Sequence, residues 1–102
     1  MILANGTDLD CKKIRIGEHS FQRMFERNIE PGDVIDIVLT GEVINEYSDD
    51  KPYPSYLILK FVKSRPVHVV VARNDANGFC FVVTVYEPDP NLWSHDFKNK
   101  IV

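Results

Sequence analysis

The sequence predicts an α+β domain in which two N-terminal helices pack on one face of a four-stranded antiparallel meander sheet. Three observations carry that expectation. Apolar residues recur at helical spacing up to Thr40, the period then switches to two from Glu42 onward, and two clusters of turn residues cut the second part into strands. With 102 residues there is room for one domain, 1–102, having its core at about 14–93 and a short basic tail at 94–102.

The first helix is read from Ile16 to Asn28. Phe21, Met24 and Phe25 have the spacing of one buried stripe, and His19, Arg23 and Arg27 step by four along another face, forming an accessible row. Pro31 suits the first turn of a second helix, Asp33 complements its dipole, Val34, Ile37 and Val38 repeat at core spacing, and Gly41 stops it.

Glu42 to Tyr47 and Ser55 to Val62 alternate as strands on either side of an exposed loop that holds Asp49, Asp50, Pro52 and Pro54. Val67 to Arg73 and Phe79 to Glu87 form two more around Asn74-Asp75-Ala76-Asn77-Gly78. A symmetric loop pairs Ala72 with Cys80, Val70 with Val82 and His68 with Thr84. One face of this hairpin then carries His68, Thr84 and Tyr86, and the other, with Val67, Val69, Val71, Phe79, Phe81, Val83 and Val85, goes under the helices. Pro88 and Pro90 end the regular structure, and Trp93 is expected to anchor the tail by packing.

Composition narrows the classes. Hydrophobic residues at 44% are enough for a packed core without metal or disulfide support. Cys11 and Cys80 lack any zinc-type or framework spacing and are expected to be free thiols in the cytoplasm; the start is too short and uncharged for a signal peptide, and no apolar run could span a membrane. The net charge of −3 argues against indiscriminate nucleic-acid binding while permitting a local basic site at Arg15, Arg23 and Arg27.

The residues capable of chemistry are His19, Arg23, Arg27, His68, Thr84 and Tyr86. Metal-free RNA cleavage needs a base for the 2′-hydroxyl, an acid for the leaving oxygen, and donors for charge growing on phosphate. His68 as base or acid, His19 as its partner, Arg23 and Arg27 on phosphate, and Thr84 with Tyr86 orienting them would supply that set, provided the two histidines lie within about 10 Å. Each group also has an ordinary reading: arginines pairing with Glu26 or Glu30, a core-edge imidazole bonded to a hydroxyl, and β-formers in a strand. His19, His68 and His95 have no metal-ligand spacing, and neither metal nor cofactor is expected.

The order His19-Ser20-Phe21-Gln22-Arg23-Met24-Phe25-Glu26-Arg27-Asn28-Ile29, Asp33-Val34, Gly41-Glu42-Val43-Ile44, Pro52-Tyr53-Pro54-Ser55, Val67-His68-Val69-Val70 and Thr84-Val85-Tyr86-Glu87-Pro88-Asp89 resembles the bacterial family of domains of unknown function 4258, DUF4258, from His19 to Trp93. That resemblance implies kinship with RelE/ParE and barnase/EndoU-like toxin folds, an antitoxin protein as partner, and RNA as substrate. It matches the six residues just named. Ribosome-directed toxins of the RelE kind are strongly basic and this chain is acidic, so free RNA is the better expected substrate. The function expected is therefore a metal-independent, endoribonuclease-like toxin domain; the alternative is a non-catalytic protein-interaction module that uses the same groove or an exposed strand edge.

Overall fold

In the computed structural model, which describes residues 9–102, Lys13–Ile16 is a strand (β1), so Ile16 closes a strand rather than opening the first helix. Ile14 and Ile16 pack against the core while Lys13 and Arg15 are exposed, an alternation of period two that fits an edge strand. The remaining elements are α1 (Glu18–Glu26), α2 (Pro31–Thr40), β2 (Glu42–Tyr47), β3 (Ser55–Val62), β4 (Arg65–Asn74) and β5 (Phe79–Tyr86). The sheet has five strands in the order β1-β5-β4-β3-β2. β1 runs parallel to β5, and every other neighbouring pair is antiparallel. The expected four-stranded antiparallel meander is thus corrected to a five-stranded mixed sheet, with a strand preceding the helices.

β1 also brings Cys11 beside Cys80, and the two form a disulfide across a sequence separation of 69 residues. The expectation of free thiols fails for the reason β1 was missed: only the β1–β5 pairing places the two sulfurs together, and nothing in their spacing announces it.

α1 ends in a Schellman motif. Asn28 takes the left-handed conformation at φ 56°, its N–H donates to the Phe25 carbonyl, and the Ile29 N–H reaches back to the Met24 carbonyl at 2.9 Å. Ile29 is buried beside Met24, the apolar contact that accompanies this motif. Arg65 locks the same corner. Its guanidinium donates to the carbonyls of Arg27 and Asn28 and pairs with Glu87 at 2.7 Å, joining the end of α1 to the start of β4 and the residue after β5.

The helices cover one face of the sheet. Met24, Val34, Ile37 and Val38 meet Tyr56, Ile58, Val67, Val69, Val71, Cys80, Val82 and Val85 in the main core. Phe81 and Val83 do not belong to it. β5 carries a bulge, since Val70 pairs with Thr84 and Val71 with Val82, which leaves Val83 unpaired and shifts the face of every residue before it. The register is accordingly His68 with Tyr86, Val70 with Thr84 and Ala72 with Phe81, not the one a symmetric loop gives. α1 is also rotated from the expected stripe: Ser20 and Met24 are buried, whereas Phe21 and Phe25 are exposed.

Gly41 ends α2 for want of space. A Cβ there would lie 2.6 Å from the Ile37 carbonyl oxygen and from Ile58 Cγ2, and 3.0 Å from the Leu59 carbonyl oxygen. Gly41→Ala should therefore cost about 2–3 kcal/mol, because two of the three obstacles are backbone that cannot give way cheaply. Urea melts of the variant check it, and a midpoint equal to wild type would refute the close approach.

Candidate functional site: a cleft on the uncovered sheet face

His68 sits on β4 between Val67 and Val69, which point into the helix-side core, so its own ring projects from the opposite face. That face is not bare. The chain after β5 turns back at Asp89, whose carbonyl accepts from the N–H groups of Leu92 and Trp93, and then closes on itself through Ser94 N–H to the Asn99 carbonyl and Ile101 N–H to the Leu92 carbonyl. The resulting strap lies over His68. Trp93 meets the imidazole edge to face with centroids 4.5 Å apart, and the His68 Nε2 lies 2.9 Å from the Phe97 carbonyl oxygen.

His68 is 0% exposed and both of its nitrogens are engaged. A carbonyl can only accept, so Nε2 carries the proton; Nδ1 then accepts from the Tyr86 hydroxyl at 3.2 Å. Burial holds the His68 pKa below its ordinary value, with the Phe97 carbonyl opposing in part. Burial also raises the Tyr86 phenol, helped by nearby Tyr47. Both groups are thereby kept neutral, as a hydrogen-bonded pair rather than a proton-transfer couple.

The other side of Tyr86 is open. With Ile44, Asn45 and Tyr47 from β2, and Trp93, Lys98, Asn99 and Lys100 from the strap, it lines a cleft of about 510 Å³. The β2 wall is shaped by an irregularity between Val43 and Asn45, which breaks the regular pairing to β3. Lys98 pairs with Glu42 at 3.0 Å, while Lys100 is exposed and has no carboxylate partner within 4 Å among the described residues. The cleft thus offers aromatic rings, two amides and two ammonium groups. Among the described residues no cluster of His, Cys, Asp or Glu is arranged to hold a metal ion.

Of the six residues singled out in the sequence, the fold gathers three. His68 and Tyr86 touch, and Thr84 shares their face one pair along, opposite Val70. The α1 residues lie across the sheet from them. His19 is exposed on a helix whose Ser20 hydroxyl donates to the Val82 carbonyl at 3.0 Å on the helix side. Arg23 pairs with Glu26 at 3.0 Å, and Arg27 donates to the Val85 carbonyl, so Arg27 acts as a tether between α1 and β5. Asn45, Tyr47 and Phe97 were not foreseen. The basic character of Lys98 and Lys100 was legible, but not that the tail folds back over the sheet.

The family model for a domain of unknown function, DUF4258, matches residues 16–87 of the chain. The chain belongs to the DUF4258 family. The matched stretch begins at the end of β1 and runs through β5, so it holds both helices, His68 and Tyr86; Cys11 and the strap with Trp93, Lys98 and Lys100 lie outside it. No curated protein and no solved structure matches the chain. Among the described residues no helix of this DUF4258 domain is long and apolar enough to cross a membrane.

Proposed function

We propose that this DUF4258 domain binds single-stranded RNA in the cleft between β2 and the strap, without a histidine-pair cleavage step. The observation that carries the reading is the convergence of Tyr47, Tyr86 and Trp93 with Lys98 and Lys100 on one cleft. Single strands are held by this combination, bases stacking on aromatic rings while ammonium groups follow the phosphates. Asn45 adds an amide able to donate to and accept from a base edge. Binding is favoured over cleavage because His68 is sealed and neutral, and because His19, Arg23 and Arg27 lie on the helix side. The cystine favours an oxidising compartment over the reducing cytoplasm expected from the sequence.

Fluorescence anisotropy with labelled oligonucleotides tests this. Two lysines release few counterions, so the slope of log affinity against log salt should be about −1.4, at roughly 0.7 per neutralised phosphate. Tyr47→Ala and Lys100→Ala, both exposed and harmless to folding, should each weaken binding about tenfold. Arg23→Ala should change nothing. A steep salt slope with loss on Arg23→Ala would move the site to α1, and metal-free RNA cleavage abolished by His19→Ala would contradict the proposal.

A further inference from the structure

A second surface, away from the cleft, has no role in RNA binding. Phe21 is 46% and Phe25 88% exposed, one turn apart on α1. They border a hollow of about 340 Å³ lined also by Met24, Asn28, Ile29 and Pro31, where the turn between the helices opens. The rotation of α1 is held by Ser20 on the Val82 carbonyl and Arg27 on the Val85 carbonyl, so the two rings are presented outward by bonds on the far side of the helix. Two adjacent exposed phenyl groups beside an apolar hollow are uncommon on a surface that nothing contacts.

The unpaired charge around them is of one sign, since Arg65, on the Asn28 carbonyl at this corner, is paired with Glu87. Glu30 lines the hollow, and Glu18, three residues before Phe21 and seven before Phe25, shares their helix face. Neither carboxylate has a lysine or arginine within 4 Å among the described residues. The cations of α1 are turned elsewhere, Arg23 to Glu26 and Arg27 to the sheet. RNA is repelled by such a rim. A second copy in two-fold contact would set acidic rim against acidic rim.

We infer that the Phe21–Phe25 surface docks a protein segment in helical form, with apolar side chains for the hollow and lysine or arginine flanking them. The mode is an amphipathic helix laid in a groove, anchored by Phe25 and oriented by Glu18 and Glu30. This inference stands apart from the RNA reading, since it uses no residue of the cleft.

The test is calorimetric titration of the full chain with a synthetic amphipathic peptide of about 18 residues, its leucines at helical spacing and its flanks lysine, beside a twin with glutamate flanks. The lysine peptide should bind, Phe25→Ser should weaken it at least about tenfold, and the double variant Glu18→Gln, Glu30→Gln should weaken it about fivefold. Lys100→Ala should leave it unchanged. Phe25 is so exposed that its replacement leaves the fold intact, which matching thermal melts verify. No binding by wild type, equal binding of the glutamate twin, or a wild-type dimer in sedimentation that Phe25→Ser abolishes would each overturn the inference.

Discussion

Cys11→Ala is expected to lower the stability of the domain by about 4 kcal/mol, the cost of releasing a crosslink that closes a loop of 69 residues in the unfolded chain. Small domains are stable by only about 5–15 kcal/mol, so this is a large share, corresponding to a fall of roughly 20 °C in Tm. Cys11 is the suitable target because it is only partly buried, whereas Cys80 is fully enclosed in the core and a polar replacement there would add its own penalty. Calorimetric melts of wild type and variant under oxidising conditions decide the matter. The same fall on reduction of the wild type would assign the loss to the bond, and equal Tm values in both would mean that the N-terminal segment contributes nothing through it.

His68→Ala should cost about 3 kcal/mol, since it empties a fully buried position, leaves the Phe97 carbonyl without its donor and removes the ring against which Trp93 packs. A pH signature separates this from an ordinary cavity. The folded pKa of His68 is lowered, so the unfolded chain takes up the proton first as pH falls. Stability is then complete above the unfolded value of about 6.5 and declines with acidification below it, towards the lower folded pKa. The exposed carboxylates of Asp36 and Asp96, whose pKa values are also lowered, respond only in the more acid range, from about pH 5 downward. Urea unfolding at a series of pH values should give a slope just below about pH 6.5 that His68→Gln abolishes. A wild-type profile flat in that window would mean that the ring is accessible to solvent protons, and the sealed state of the strap would fall with it.

What the sequence made legible was chiefly what local pattern controls. The α2 pattern from Pro31 to Gly41, the four strands after it and the turn at Asn74–Gly78 follow from residue type and period, and the structure keeps them. β1 was missed because Lys13 to Arg15 were given no element and Ile16 was read as the start of the helix, although Lys13-Ile14-Arg15-Ile16 alternates and Gly17 separates it from Glu18. The faces of β5 depended on one unpaired residue, Val83, and no local pattern marks where a bulge falls. The pairing of His68 with Tyr86 was foreseen only as a shared face. That the ring would be sealed required knowing the course of the chain after Pro90, which is set by contacts between Trp93, Phe97 and a distant strand rather than by any preference of the tail.

α1 shows the same limit in another form. Its apolar stripe at Phe21, Met24 and Phe25 predicts a helix correctly and its rotation wrongly, because burial of Ser20 on two carbonyls of β5 competes with burial of the phenyl rings. The rotation withdraws Arg27 into a structural bond, and the packing of α1 on the far side of the sheet keeps both His19 and Arg27 away from the face that carries His68 and Tyr86.

The most direct test of the proposed cleft is the titration of isotope-labelled protein with single-stranded RNA, followed by amide and indole chemical shifts. Shifts concentrated at Asn45, Tyr47, Tyr86, the Trp93 indole and Lys98 to Lys100, with His19, Arg23 and Arg27 unmoved, are the result predicted. Shifts centred on α1, or none at all with RNA in excess, would contradict it.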